Sequence, residues 1–410
     1  MNFYELGLSD SICQKLEQYN ITEPTRIQEQ VISQVLKGRD ILAQSATGSG
    51  KTIAFGGPII DMIGTNKQPM QALILAPTRE LAEQIKQSLQ TLTKIPICTV
   101  YGGVGYQPQI DGLRRSPIVV ATPGRFIDLL EQGHVQTENL KQFVLDEADR
   151  MLDMGFFPDI EKIISYLPEK KFQAMCFSAT YPPQITGLTK KILTEPFSAK
   201  GTPQVDPTKL KQYYYEVPQN LKFSLLVHLL EKEHAGSAMV FTNSKRMADM
   251  LASQLKTKNI KASAIHGGLT QAKRKHILEQ FQKQKTFALI CTDVAARGLD
   301  IPDVSHVYNY DIPADSKQYI HRIGRTARAG KDGMAVSILA QRDYENFDKI
   351  LQFERVKVDV LERPYLQKEH LPSTPSRDSP RGGDRQRGSR RPPQRSNNNR
   401  GSYRRQSNRR

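Results

Sequence analysis

Ten residues, AQSATGSGKT at 43–52, follow an apolar run, DILAQS, and precede IAFGGPIIDMI. Glycines there let backbone N–H groups from Ala46, Thr47, Gly48, Ser49 and Gly50 converge on phosphate oxygens at a helix N-terminus. Lys51 is placed to reach β- and γ-phosphates, and the Thr52 hydroxyl to ligate Mg²⁺. Such a loop needs an acid on a neighbouring strand. FVLDEADRM supplies it, an apolar strand ending in Asp146 and Glu147. Asp146 suits the metal, and Glu147 suits a base that orients or deprotonates water. A third block, HRIGRTARAG at 321–330, holds His321, Arg322, Arg325 and Arg328. His321, Arg325 and Arg328 stand at i, i+4 and i+7, so a helix would aim them the same way. From the residues alone, that face is either a nucleic-acid patch or part of a catalytic site.

Short, nearly continuous apolar runs alternate with amphipathic segments along the chain and must position these groups. The first half reads DILAQS, ALILAP, ICTVYG, IVVATP, FVLDEA and AMCFSAT; the second reads QYYYEV, SAMVFTN, ASAIHG, FALICTD, HVYNYD and MAVSILA. This pattern predicts parallel sheets covered by helices on both faces. Glycine-bearing and polar sequence gathers just after the strands, where open α/β sheets place ligands. EPFSAKGTPQVDPTK at 195–209 has three prolines and no hydrophobic periodicity, and reads as an interdomain linker. The expected division is a first domain at 1–203, a linker at 204–208, a second domain at 209–362 and a tail at 363–410.

The phosphate loop, DEAD at 146–149 and HRIGRTARAG, in that order, resemble the DEAD-box ATP-dependent RNA helicases, and the likeness covers about residues 3 to 340. The resemblance implies two tandem RecA-like domains, α/β with parallel sheets flanked by helices, followed by a disordered basic tail. It implies a compact bacterial type using ATP and Mg²⁺. EPTRIQ at 23–28 resembles the adenine-reading segment, with Gln28 reading the base edge and Phe3 stacking on the ring. Asn20-Ile21 stands where glycine and an aromatic are common, and Arg26 replaces a frequent proline; asparagine tolerates the left-handed backbone nearly as glycine does.

Other blocks carry over residue by residue. Pro77, Thr78 and Arg79 of PTRELA, Gly102-Gly103, and Thr122, Pro123, Gly124 and Arg125 of TPGR resemble contacts to the RNA backbone. Pro77 is equally suited to a helix start. Ser178 and Thr180 of SAT resemble the element that couples Asp149 and the acidic loop to the RNA side. In the second domain, Gln271, Arg274 and Thr292 resemble RNA contacts, Arg297 an interdomain link, and Asp300 a ribose ligand. Gly268 stands where an acid is common. Arg325 and Arg328 resemble arginine fingers aimed at the γ-phosphate held in the other domain. His321 resembles a partner of the acidic loop, and Arg322 reads as structural. Ala327 occupies a position where glycine is frequent.

The chain has 410 residues and a net charge of +16. Twelve arginines and two aspartates between Ser376 and Arg410 account for +10, so the remainder is only mildly basic. The tail is too poor in apolar residues to offset its chain entropy, and its charge suits tethering of RNA. Cys13, Cys98, Cys176 and Cys291 are scattered without a CxxC pair, so buried thiols are expected. No apolar run approaches the ~18 residues of a membrane span, and MNFYELGLSD lacks the features of a signal peptide. These features suggest a cytoplasmic protein; the resemblance implies a monomer binding duplex and single-stranded RNA, compatible with ribosomal or RNA-decay proteins as partners. A DNA motor of the same plan, and an ATP-dependent RNA clamp or annealing factor, are the alternatives.

Overall fold

The computed structural model describes residues 1–371 except 46–47, 67, 170–171, 202–208, 233–236, 294–303, 328–331, 355–356 and 370. It also leaves out the side chains of 271, 317, 353 and 354. The proposed linker at 204–208 and the arginine-rich residues 372–410 therefore lie outside the described residues.

Each apolar run of the sequence is a strand. The first lobe contains β1 (Ile41–Gln44), β2 (Ala72–Leu75), β3 (Ile97–Val100), β4 (Ile118–Ala121), β5 (Gln142–Asp146), β6 (Gln173–Ser178) and β7 (Phe197–Lys200). They pair in the order β3-β4-β2-β5-β6-β1-β7, and every pairing is parallel. The second lobe contains β8 (Leu210–Glu216), β9 (Ala238–Phe241), β10 (Ala262–Ile265), β11 (Ala288–Cys291), β12 (His306–Asn309), β13 (Gly333–Leu339) and β14 (Asp359–Val360). Their order is β10-β11-β9-β12-β13-β8-β14, again all parallel.

Period-2 geometry sends alternate residues of one strand into two cores. Val144 of β5 joins Ile74, Met175 and the helix Lys51–Ile63 on one face. Phe143 and Leu145 join Leu73, Leu75 and Cys176 on the other. All are fully buried, each worth roughly 1.5–3 kcal/mol relative to exposure. The second sheet is sandwiched in the same way between two clusters. Double coverage explains why these strands read as continuous apolar runs rather than alternating ones. All four cysteines are free and buried, as expected.

Two strands are hidden in the sequence. β7 falls in the segment read as linker, yet it pairs in register with β1 from Ile41↔Phe197 to Gln44↔Lys200. As an edge strand it buries Ala199 while Ser198 and Lys200 stay exposed, too few residues to show a pattern. The Gln30 carboxamide brackets its last residue, donating to Lys200 O and accepting from Lys200 N, both at 3.0 Å. β14 is two exposed residues added to β8. The expected start of the tail at 363 is also corrected. Leu366 and Leu371 pack against the second lobe, Glu369 N donates to Ser224 Oγ at 2.9 Å, and the Glu369 carboxylate pairs with Lys258.

The C-terminal strand ends of the second lobe are gathered by one side chain. Arg322, on the helix Ser316–Ile323, is 1 % exposed. Its Nε and Nη2 donate to the two oxygens of Asp293 at 2.7 Å each, Nη1 to Asp311 O at 2.6 Å, and Nη2 to Asn243 Oδ1 at 2.9 Å. Its guanidinium also stands over the Phe241 ring at 5.2 Å. Arg322 is thus a staple across β9, β11 and β12, as the sequence suggests. Arg322→Ala leaves Asp293 without its cation and should cost the second lobe about 3–5 kcal/mol in chemical denaturation. A loss under about 1 kcal/mol would show that the staple is dispensable.

Candidate nucleotide site and RNA groove

The phosphate loop links β1 to the helix Lys51–Ile63. Gly48 and Gly50 have φ of 82° and 90°, a backbone only glycine adopts readily, and Gly50 caps the helix. Lys51 Nζ stands 3.4 Å from Asp146 Oδ1 and 3.5 Å from Ser45 O, at 6 % exposure. Burial alone would push the lysine pKa down, but the Asp146, Glu147 and Asp149 carboxylates outweigh it and hold the ammonium above its ordinary value. For Asp146, burial dominates and pushes the carboxyl up, against the pull of Lys51.

Asp146 Oδ1 is buried and receives no hydrogen bond. An acid oxygen in that condition fits a hydrated divalent cation, with the hydroxyl of Thr52, half-buried and next in the helix after Lys51, as a second oxygen donor. Among the described residues no three His, Cys, Asp or Glu side chains gather as a closed metal cluster. A magnesium ion that keeps its waters and takes phosphate oxygens does not need one.

Glu147 has φ 55° and ψ 52°, the left-handed conformation, and begins the helix Ala148–Asp153. Its Oε2 accepts from Arg150 Nη1 at 2.7 Å. Asp149 is locked to the SAT segment: its Oδ2 accepts from Thr180 N and Thr180 Oγ1, both at 2.9 Å, and its N–H donates to Ser178 Oγ at 3.1 Å. Ser178 Oγ then donates to Thr180 O at 2.7 Å. The acids and SAT therefore form one hydrogen-bonded unit at the ends of β5 and β6.

Two adenine-site expectations meet a different arrangement. Gln28 is 2 % exposed and spends its carboxamide on the protein, accepting from Thr25 N at 2.8 Å and donating to Gly50 O at 3.0 Å. Here it braces the phosphate loop rather than facing a base. Phe3 is 3 % exposed within the first core, so its ring presents no open face for stacking. Asn20 does adopt the left-handed backbone, φ 57°, that glycine often serves.

A groove of about 450 Å³ collects most of the residues assigned to RNA contact: Pro77, Thr78, Arg79, Gly102, Thr122, Gly124 and Arg125 from the first lobe and Arg274 from the second. Gly103 stands beside it with φ +86°, where a Cβ would lie 2.2 Å from Arg79 Nη1. Thr78 and Thr122 cap the helices Arg79–Leu92 and Pro123–Glu131, so PTRELA does start a helix. Pro123 is buried at the first turn. Arg125 is held in place by Val104 O at 3.1 Å and by the Tyr106 ring at 4.1 Å. Thr292 is 8 % exposed just beyond β11 and does not line the groove.

Sequence reasoning missed Glu80. It also lines the groove, and its carboxylate pairs with Arg274 Nη1 at 2.6 Å, joining the lobes. Its partner lies 194 residues away in the chain, so no local signal in PTRELA marked it.

The arginine block differs from a single helical face. The helix Ser316–Ile323 stops at Gly324, so Arg325 lies in the following turn, 6 % exposed, with its backbone oxygen accepting from Val304 N. Ala327 takes φ 56°, which explains why glycine is frequent there. His321 is half-buried on the last turn of the helix. Ala46, Thr47, Arg297, Asp300 and Arg328 lie outside the described residues, as does the Gln271 side chain.

The DEAD/DEAH box helicase family model matches residues 25–188, and the helicase conserved C-terminal domain model matches 221–330. The chain is 42% identical over 369 residues to the DEAD-box ATP-dependent RNA helicase CshA of Bacillus cereus (strain ATCC 10987 / NRS 248), covering 89% of this chain and 70% of that one. It is 40% identical to CshA of Geobacillus kaustophilus (strain HTA426), covering 89% and 79%. Among solved structures it resembles a DEAD box protein from the hyperthermophile Methanococcus jannaschii, with TM-score 0.56, 40% identity and coverage of 88% and 99%. It also resembles S. cerevisiae Dbp5 bound to RNA and ADP BeF3, with TM-score 0.78, 32% identity and coverage of 88% and 95%.

If the Glu80–Arg274 pair links the lobes, Arg274→Glu should weaken RNA binding in the presence of an ATP analogue by about tenfold or more. Reversing the charges with Glu80→Arg/Arg274→Glu should restore part of it, a coupling of about 1–3 kcal/mol in a double-mutant cycle. A double variant no better than Arg274→Glu would instead mark Arg274 as a direct RNA contact.

Proposed function

The chain belongs to the DEAD-box ATP-dependent RNA helicases, and we propose that it couples ATP hydrolysis to closure of its two lobes on RNA, separating short duplexes locally. The lobes are residues 1–203 and 209–371, the second extended by the segment packed on it. The observation that carries this reading is the groove lined by residues of both lobes, Arg79 and Arg125 of the first and Arg274 of the second. The likeness to a relative bound to RNA and ADP BeF3 supports it.

Each step follows from a named group. Backbone N–H groups of the phosphate loop and Lys51 bind the triphosphate. Thr52 and Asp146 would hold Mg²⁺, which would supply neutralisation of the phosphate charge. Glu147 orients the attacking water and accepts its proton. Arg325 and Arg328 reach the γ-phosphate from the second lobe, with His321 against the acidic loop and Asp300 on the ribose. Gln28 must release Gly50 O before its carboxamide can meet adenine, so base recognition and loop geometry are linked. Thr78, Arg79, Gly102, Gly103, Thr122, Gly124, Arg125 and Gln271 bind phosphates and 2′-hydroxyls, which carry no sequence information. ATP and RNA both favour the closed form and therefore bind cooperatively.

The arginine-rich residues 372–410 add salt-dependent affinity for RNA. A cytoplasmic monomer acting on ribosomal or decay RNA is consistent with the composition. Among the described residues no helix is long and apolar enough to cross a membrane.

Single-stranded RNA should stimulate ATP hydrolysis, and single-stranded DNA should not. Arg325→Ala should reduce the RNA-stimulated rate by about 10³-fold or more, the range of an arginine finger, while RNA binding without nucleotide persists. Retained turnover with loss of nucleotide-free RNA binding would return this block to the role of an RNA patch.

A further inference from the structure

Asp146, Glu147 and Asp149 place three carboxylates within four residues, each no more than 5 % exposed. Like charges withdrawn from water need separate partners to keep their positions. Lys51 faces Asp146, and Thr180 takes one oxygen of Asp149. Arg150 serves the other two members. Its backbone N–H donates to Asp149 Oδ1 at 3.0 Å, and its guanidinium Nη1 donates to Glu147 Oε2 at 2.7 Å.

The left-handed backbone at Glu147 makes this possible. It turns the chain sharply, so that Arg150 N also donates to Glu147 O at 3.0 Å and the side chain returns over the carboxylate three residues earlier. Both side chains are buried, at 8 % and 7 % exposure, so the contact is not a solvent-screened surface pair.

We propose that Arg150 is a positioning residue for hydrolysis, its guanidinium fixing the rotamer of the Glu147 carboxylate while its amide ties that carboxylate to Asp149 and the SAT segment. The proposal rests on the reading of Glu147 as the base. Arg150 touches neither nucleotide nor water in this role and acts through Glu147. The same backbone link gives the RNA-side element a short route to the base, since Thr180 and Arg150 hold opposite oxygens of Asp149.

The test measures ATP hydrolysis at saturating RNA by the full chain and by Arg150→Ala, Arg150→Lys, Glu147→Gln and Glu147→Gln/Arg150→Ala. Misplacing a catalytic group by about 1 Å can cost ~10²-fold, so Arg150→Ala should lower kcat about 10- to 100-fold with the ATP KM within about threefold. Arg150→Lys should recover part of the loss. In the Glu147→Gln background Arg150→Ala should cost nothing further, because residues acting as one unit are not additive. RNA binding with a non-hydrolysable ATP analogue should stay as in the unsubstituted chain. Unchanged kcat in Arg150→Ala, multiplicative losses in the double variant, or joint loss of analogue-dependent RNA binding would each overturn the proposal. Should Arg150→Ala fail to fold, Arg150→Gln and Arg150→Lys carry the same comparison. If Glu147→Gln itself turns over normally, the reading of Glu147 as the base fails; if only Arg150→Ala is without effect, the inference about Arg150 fails alone.

Discussion

The facing of Lys51 and Asp146 across 3.4 Å, both almost fully buried, is the interaction around which the first lobe is organised. Two charges removed from water impose a cost that only close, well-placed partners can offset. Parallel pairing meets that demand, because it brings the C-terminal ends of β1, β5 and β6 together at one edge. The phosphate loop leaves β1, the acids leave β5, and SAT leaves β6. Ser45 N donating to Ser178 O at 2.8 Å continues the ladder one residue beyond the strands and fixes the loop's root. Asp146 Oδ1 faces Lys51 Nζ without a close hydrogen bond, so the pair has room to accept a cation-bearing ligand between phosphate and acid.

The second lobe uses the same sheet edge for a different purpose. Its buried charges are satisfied within the protein: Arg322 by Asp293, and Lys222 by Asp343 at 2.8 Å, with burial pulling the Lys222 pKa down. A staple that consumes every donor of Arg322 leaves it unavailable to RNA. It also holds the helix bearing His321 and the turn bearing Arg325 rigidly on the sheet. That turn packs so closely on Gly333 that a Cβ there would lie 2.4 Å from Ala327 N. The lobe with no phosphate loop therefore uses its buried charges to hold this helix and turn in place.

Much of this was legible in the sequence, for identifiable reasons. Strands buried on both faces announce themselves as apolar runs, and the phosphate loop, the acids and SAT each follow one directly. What escaped is edge, capping and cross-lobe detail. β7 pairs on one side only, so FSAK needs no apolar run, and Pro196 and Gly201 around it look like linker. Helical spacing put Arg325 on the face of His321, but Gly324 ends the helix first. The hydrogen bonds of Gln28 and the burial of Phe3 depend on partners the motif does not name. Glu80–Arg274 joins residues 194 apart in sequence, and nothing local foretells it.

The proposed function has two ligands gripped by the same pair of lobes. The most direct measurement is RNA affinity of the full chain with and without a non-hydrolysable ATP analogue, paired with analogue affinity with and without RNA. Shared closure predicts that each ligand tightens the other by the same factor, on the order of 5- to 150-fold. Equal RNA affinity in the presence and absence of the analogue would contradict the coupling of the two sites.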